Sequence, residues 1–264
     1  MTARTQRAPA PTAPYGAPSW LLLGSEPMRA ACEFAGALFV NPERLPQGDG
    51  HPVVLFPGLA ADACAMRPLR DLCRRLGYDA HDWGRGWNTG PSGDVDEWLA
   101  ALTADITALV GHDRQRVSLI GWSLGGIYAR EVAKRLGASK ARQVITLGTP
   151  FTCNVEHTRA GFLYRLVNGS RAPVSAELAR RVAAAPDIPS TSIYSRTDGV
   201  VAWQACVQAR GHRRTENIEV SGSHTGLVWN TAVLEVIADR LSQPQNAWRP
   251  HRQALPRVSA AAAA

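Results

Sequence analysis

The chain has 264 residues, 45% of them hydrophobic and 19% charged. That length suits one large α/β domain or two small ones, and the balance excludes a largely disordered chain or a membrane bundle. The net charge of +7 comes from arginines spread through helical stretches and the C-terminal segment. Without a basic block or interleaved aromatics, nucleic acid is not an expected partner, and weak attraction to anionic surfaces is the most the charge implies.

The five cysteines form no C-x-x-C pair and no Cys/His spacing suited to zinc, so no metal is expected. Their odd number argues for reduced, mostly buried thiols over a disulfide scaffold, with a Cys153–Cys206 bridge left open.

Residues 1 to about 18 are rich in Pro, Ala and Thr and read as a disordered tail. The apolar run from Trp20 to Leu23 is too short for a signal-peptide core, and no stretch reaches membrane-spanning length. A cytoplasmic protein without stable membrane insertion is the expectation. Within an N-terminal helical segment over 19–48, "EPMRAACEFAGALFV", about Glu26 to Val40, is spaced as an amphipathic helix closed by Asn41 and Pro42. Its polar face is not rich in Lys or Arg, which favours a packing helix over a lipid-surface helix.

From residue 49 the chain alternates. "HPVVLF" reads as a buried strand ending in the turn "PGLA", and "MRPLRDLCRRLG" as a helix stopped by Gly77. Strand "YDAHDW", loop "GRGWNTGPSG" and helix "DVDEWLAALTADITALVG" follow, the last with Asp94 as N-cap. Strand "RVSLIG", helix "LGGIYAREVAKRLG" and strand "ARQVITLG" come next. An irregular stretch from Thr149 to about Pro189 leads to strands "STSIYS" and "NIEVSG" and a last helix from about Leu227 to Leu241. The alternation predicts a doubly wound, mostly parallel α/β sheet over 49–243, followed by a C-terminal tail over 244–264. The insertion at about 150–189, with two short helical patterns, falls where a lid would overlie the sheet's C-terminal edge.

Gly121-Trp122-Ser123-Leu124-Gly125 fits G-x-S-x-G between an apolar strand and an amphipathic helix, the setting of a nucleophile elbow. A serine hydroxyl needs a base, and the base needs an orienting group. His224 lies between the last strand and the last helix and is the expected base, with His157 in the lid as a rival. His51, His112, His212 and His251 read as surface residues. Asp198, in the turn after "STSIYS", is the expected acid, with Asp187 as the fallback. An acyl-transfer site also needs preorganised donors for an oxyanion. The backbone N–H groups of Leu124, after the nucleophile, and Leu59, after the Pro57-Gly58 turn, are placed to supply them.

Taken together, "LFPGLAAD", "GWSLGG", "LGTP", "TDGVV" and "GSHTGL" resemble a serine hydrolase of the α/β-hydrolase superfamily, in its lipase and esterase branch, over roughly residues 50 to 242. Ser123, Asp198 and His224 match the family's nucleophile, acid and base in its chain order, and Leu59 and Leu124 match its oxyanion-hole positions. The chain departs from many members in having Pro57-Gly58 where they have His-Gly, and the HGGG form is absent. The resemblance implies hydrolysis of a carboxylic ester, of a small molecule or a lipid, through an acyl-enzyme on Ser123, with no metal or organic cofactor. An acyltransferase using the same acyl-enzyme and a non-catalytic binding module on the same fold are the alternatives. Trp122, Phe151, Phe162 and Leu163, with Tyr164 and the loop "GRGWNTGP", are the expected substrate pocket.

Overall fold

The computed structural model describes residues 4–5, 16–111, 115–151, 176–209 and 214–251. The aliphatic runs become β2 (Pro52–Phe56), β4 (Val117–Trp122) and β5 (Ala141–Leu147), each buried at every position. Continuous burial is what a parallel strand covered on both faces requires. With β3 (Asp79–Asp82), β6 (Ser190–Ser195) and β7 (Thr215–Val220) they form a parallel sheet in the order β3-β2-β4-β5-β6-β7. A short β1 (Arg4–Thr5) pairs antiparallel with β7, Arg4 opposite Glu219, so two residues of the expected disordered tail join the sheet edge.

Helices α1 (Trp20–Ala37), α2 (Arg67–Arg75), α3 (Val95–Val110), α4 (Leu124–Lys140), α5 (Ala176–Ala183) and α6 (Thr231–Leu241) complete the doubly wound α/β architecture. Alternate strand residues face opposite layers. Val53 and Leu55 join one core with Leu69 and Leu72 of α2 and Val233 and Ile237 of α6. Val54 and Phe56 join the other with Leu102 and Ile106 of α3 and Val132 of α4. Each fully buried aliphatic side chain contributes about 1.5–3 kcal/mol.

Several expectations need correction. Helix α1 starts at Trp20, capped by the Ser19 hydroxyl, which accepts from the Leu22 N–H at 3.2 Å, and it runs through Pro27. The expected start at Glu26 was late because the apolar run before it is a first helical turn. It does pack on the domain, through Ala30, Phe34 and Ala37 and also through its charged residues. The last helix starts at Thr231, the residues Thr225–Val228 forming a separate 3-10 turn. His51 is not a surface residue: it has 0% exposure, because Ser118 and Asp49 supply its polar partners inside the fold. Cys73 and Cys206 are buried but Cys32 and Cys64 are exposed. Cys153, His112, His157 and His212 and the first helical pattern of the expected lid lie outside the described residues, and the second pattern is α5.

The strand order fixes where a site can be. The chain leaves β2 for β3 on one side and returns to the other side of β2 for β4. The crevice past the C-terminal ends of β2 and β4 is therefore the topological switch point, where open α/β sheets bind ligands.

Candidate active site

Ser123 stands at that crevice, in the one-residue turn between β4 and α4. Its backbone has φ 53° and ψ −123°, a region that costs a non-glycine residue about 1–3 kcal/mol. Two bonds hold the turn: Ser123 N–H donates to the Leu147 carbonyl at 2.9 Å, and Gly126 N–H to the Ser123 carbonyl at 3.0 Å. The turn also needs small neighbours. A Cβ on Gly125 would land on the carbonyl oxygens of Phe56 and Pro57, so only glycine lets α4 start so close to β2.

His224 Nε2 lies 3.0 Å from Ser123 Oγ, and His224 Nδ1 lies 2.6 Å from Asp198 Oδ2. A carboxylate only accepts, so Nδ1 carries the proton and Nε2 is left to accept from the serine hydroxyl. The other Asp198 oxygen, Oδ1, accepts from the N–H groups of Val200 at 2.8 Å and Val201 at 2.7 Å, which fixes the carboxylate's rotation. Burial opposes a charged His224 ring, but the charge and hydrogen bond of Asp198, with the charge of Glu26, outweigh it and hold the pKa above the ordinary 6.5. Asp187 has a 95% exposed side chain near Arg214, so the structure brings Asp198 and not Asp187 to the histidine.

The floor of the pair is Gly148, at φ 56° after β5. A Cβ there would come within 3.0 Å of His224 Nδ1 and 3.2 Å of Asp198 Oδ2. The role of "LGTP" is thus to let the imidazole and carboxylate sit directly over the sheet.

The Pro57-Gly58-Leu59 turn closes the opposite side. A Cβ on Gly58 would lie 3.3 Å from Ser123 Cβ, which puts the following peptide beside the serine. Asn88, fully buried, straps this turn: its side-chain amide donates to the Pro57 carbonyl, its own N–H donates to the Ala61 carbonyl, and its carbonyl accepts from Ala60 N–H, all at 2.8 Å. Leu124 opens α4, so its N–H is among those a helix leaves unpaired at its N-terminus.

Of the expected pocket residues, Trp122, Phe151 and the loop "GRGWNTGP" are described. Trp122 is 8% exposed and donates its indole N–H to the His224 carbonyl at 3.0 Å, so it braces the histidine loop from below. Phe151 lies under the Arg130 guanidinium, 4.0 Å from its carbon, and is 1% exposed. Phe162, Leu163 and Tyr164 lie outside the described residues. From the loop "GRGWNTGP", Trp87 is exposed, whereas Asn88 is turned inward to its strap.

Sequence reasoning missed Asn88 and two acids of α1. Glu26 accepts from the backbone N–H groups of Gly199, His224 and Thr225, and Glu33 accepts from the N–H and hydroxyl of Ser223. Their signal was present: Glu26, Arg29 and Glu33 are the only charged residues of α1 and fall on one helical face. Among the described residues no group of three or more His, Cys, Asp or Glu could hold a metal ion, and no helix is long and apolar enough to cross a membrane.

Comparison with known proteins places this geometry. No curated protein matches the sequence. Among solved structures, Aspergillus fumigatus lipase B superposes with a TM-score of 0.53 at 19% identity, covering 75% of this chain but only 54% of the lipase. One of LipS and LipT, two metagenome-derived lipolytic enzymes, gives 0.52 at 17%, covering 74% and 93%. Est1E from Butyrivibrio proteoclasticus, with ferulic acid bound, gives 0.52 at 13%, covering 77% and 90%. Such identities establish the shared fold. The model of the alpha/beta hydrolase family matches residues 53–261, a span that holds Ser123, Asp198 and His224, and the chain belongs to that family.

Proposed function

We propose that the protein is a serine hydrolase that cleaves carboxylic esters by way of an acyl-enzyme on Ser123. The observation that carries this reading is the strained Ser123, its Oγ 3.0 Å from a histidine nitrogen whose ring partner is a carboxylate at 2.6 Å. His224 takes the hydroxyl proton as Ser123 attacks the ester carbonyl, and Asp198 stabilises the imidazolium that forms. The oxyanion faces the N–H groups of Leu59 and Leu124. His224 then protonates the leaving alcohol, and a water molecule repeats the sequence to release the acid and restore Ser123.

A series of p-nitrophenyl esters of rising acyl length tests this. The wild-type protein turns over at least the short members, and Ser123→Ala lowers kcat by roughly five orders of magnitude while keeping the wild-type melting temperature within a few degrees. Wild-type turnover by Ser123→Ala would overturn the assignment.

A further inference from the structure

Helix α1 turns its charged residues toward the domain beside Ala30, Phe34 and Ala37, which also pack there. Leu21 and Met28, exposed at 86% and 69%, face solvent, while Glu26, Arg29 and Glu33 are turned onto the loops after β6 and β7. Burying a carboxylate is costly unless its oxygens are fully hydrogen-bonded, and Glu26 is only 5% exposed. Its Oε1 accepts from Gly199 N–H, from His224 N–H and from Arg29 Nη2, each at 2.9 Å. Its Oε2 accepts from Thr225 N–H at 3.2 Å. Gly199 directly follows Asp198, and the N–H of His224 is that of the proposed base itself.

We propose that Glu26 is a positioning residue of the site: one carboxylate outside the β-sheet domain ties the loop carrying Asp198 to the loop carrying His224. The two loops leave adjacent strands and are joined at their bases, where Ser195 Oγ and Thr197 Oγ1 donate to the Gly222 carbonyl at 2.7 and 3.1 Å. A shared acceptor on a third element adds a tie farther out, at the residues beside Asp198 and at His224 itself. Arg29 completes the clip by donating to the Thr197 carbonyl at 2.7 Å, one residue before Asp198. Hydrophobic packing alone could fasten a helix here, but it would not select these backbone N–H groups.

The role rests on the proposed function, and it also has an electrostatic consequence that can be read without turnover. The groups facing His224 are Asp198 at Nδ1, Ser123 at Nε2, the Trp122 ring at 5.7 Å and Glu26 at its backbone. Glu33 reaches Ser223, the preceding residue, and Arg29 is bound to Glu26. The charge of Glu26 supports a protonated imidazole, so its loss lowers the His224 midpoint.

The test is an NMR titration of the His224 imidazole in the wild-type protein and in Glu26→Gln, Glu26→Asp and Glu33→Gln, with the rate of fluorophosphonate capture by Ser123 measured in parallel. Glu26→Gln should move the His224 midpoint down by about half a pH unit or more. Glu33→Gln, which loosens the same helix, should move it less. Glu26→Asp keeps the charge but shortens the reach, so capture should slow about tenfold with the midpoint near that of the wild type. An unmoved midpoint in Glu26→Gln, an equal shift in Glu33→Gln, or capture by Glu26→Asp within twofold of wild type would each overturn the role. A wild-type protein that fluorophosphonate does not modify would overturn the proposed function, and the titration would still decide whether Glu26 acts on His224.

Discussion

Among the described residues, two Ser-His-Asp sets draw their serines from the two ends of one strand, β4. Beyond the C-terminal end of β4, Ser123 meets His224 and Asp198. Near its N-terminal end, Ser118 Oγ lies 2.8 Å from His51 Nε2, and His51 Nδ1 bonds to Asp49. In both, the histidine meets serine at Nε2 and aspartate at Nδ1, but the chain order and the settings differ. Ser118 lies inside β4, at a register shift against β5, with 0% exposure, and also accepts from the Gln143 amide at 3.3 Å, whereas Ser123 is lifted onto a strained turn at a switch point. His51 is sealed under Tyr78, ring centroids 4.8 Å apart, and Asp49 is held outside by Arg142 at 2.7 Å. The electrostatics run in opposite directions. Burial, aided by the Arg142 charge, pushes the His51 pKa down despite Asp49, whereas Asp198 and Glu26 hold that of His224 up. A trio of side chains closes a buried seam in one place; with a strained serine, unpaired N–H groups and a crevice it makes a candidate nucleophile in the other.

Substitution should separate the two sets sharply. Ser123→Ala should cost roughly five orders of magnitude in kcat, while Ser118→Ala should leave kcat/KM within about twofold, since nothing near Ser118 faces the crevice.

The pH responses should also part. An active His224 must be neutral, and its raised pKa keeps it protonated to higher pH. The acid limb of kcat/KM should therefore fall about tenfold per pH unit below a midpoint above 6.5. His51 acts on stability instead. Its folded pKa lies below the unfolded value, so the unfolded chain binds more protons as pH falls. His224, with its pKa raised, contributes the opposite slope, so the His51 effect is read in His224→Gln, whose melting temperature should drop on acidification below about pH 6.5. Asp49, lowered from 3.8 to about 2, adds a further loss as pH falls through that lower range. Melting curves of His224→Gln that are flat from pH 7 to 5 would contradict the buried His51.

The smallest effect is the stability cost of Ser118→Ala, about 1–3 kcal/mol from leaving His51 Nε2 without its partner. A variant as stable as the wild type would mean that the seam contributes nothing to folding.

Much of this was legible in the sequence because strong local patterns carried it. The apolar runs at β2, β4 and β5 and the glycines around Ser123 are constraints each segment states by itself, and the chain order Ser, Asp, His located residues that the fold brings within 3.0 Å. The failures are long-range. His51 read as a surface residue because its partner Ser118 is 67 residues away. Glu26 bonds to residues 173 and 198 positions away, and an acid in an amphipathic helix ordinarily faces water. The bond of the Trp122 indole to the His224 carbonyl spans 102 positions, and no local pattern announces it.

Fluorophosphonate treatment of the folded protein, followed by peptide mapping, tests the central claim most directly. The account predicts a single adduct on Ser123 and none on Ser118. A folded protein that stays unmodified, or that carries its adduct on another serine, would contradict it.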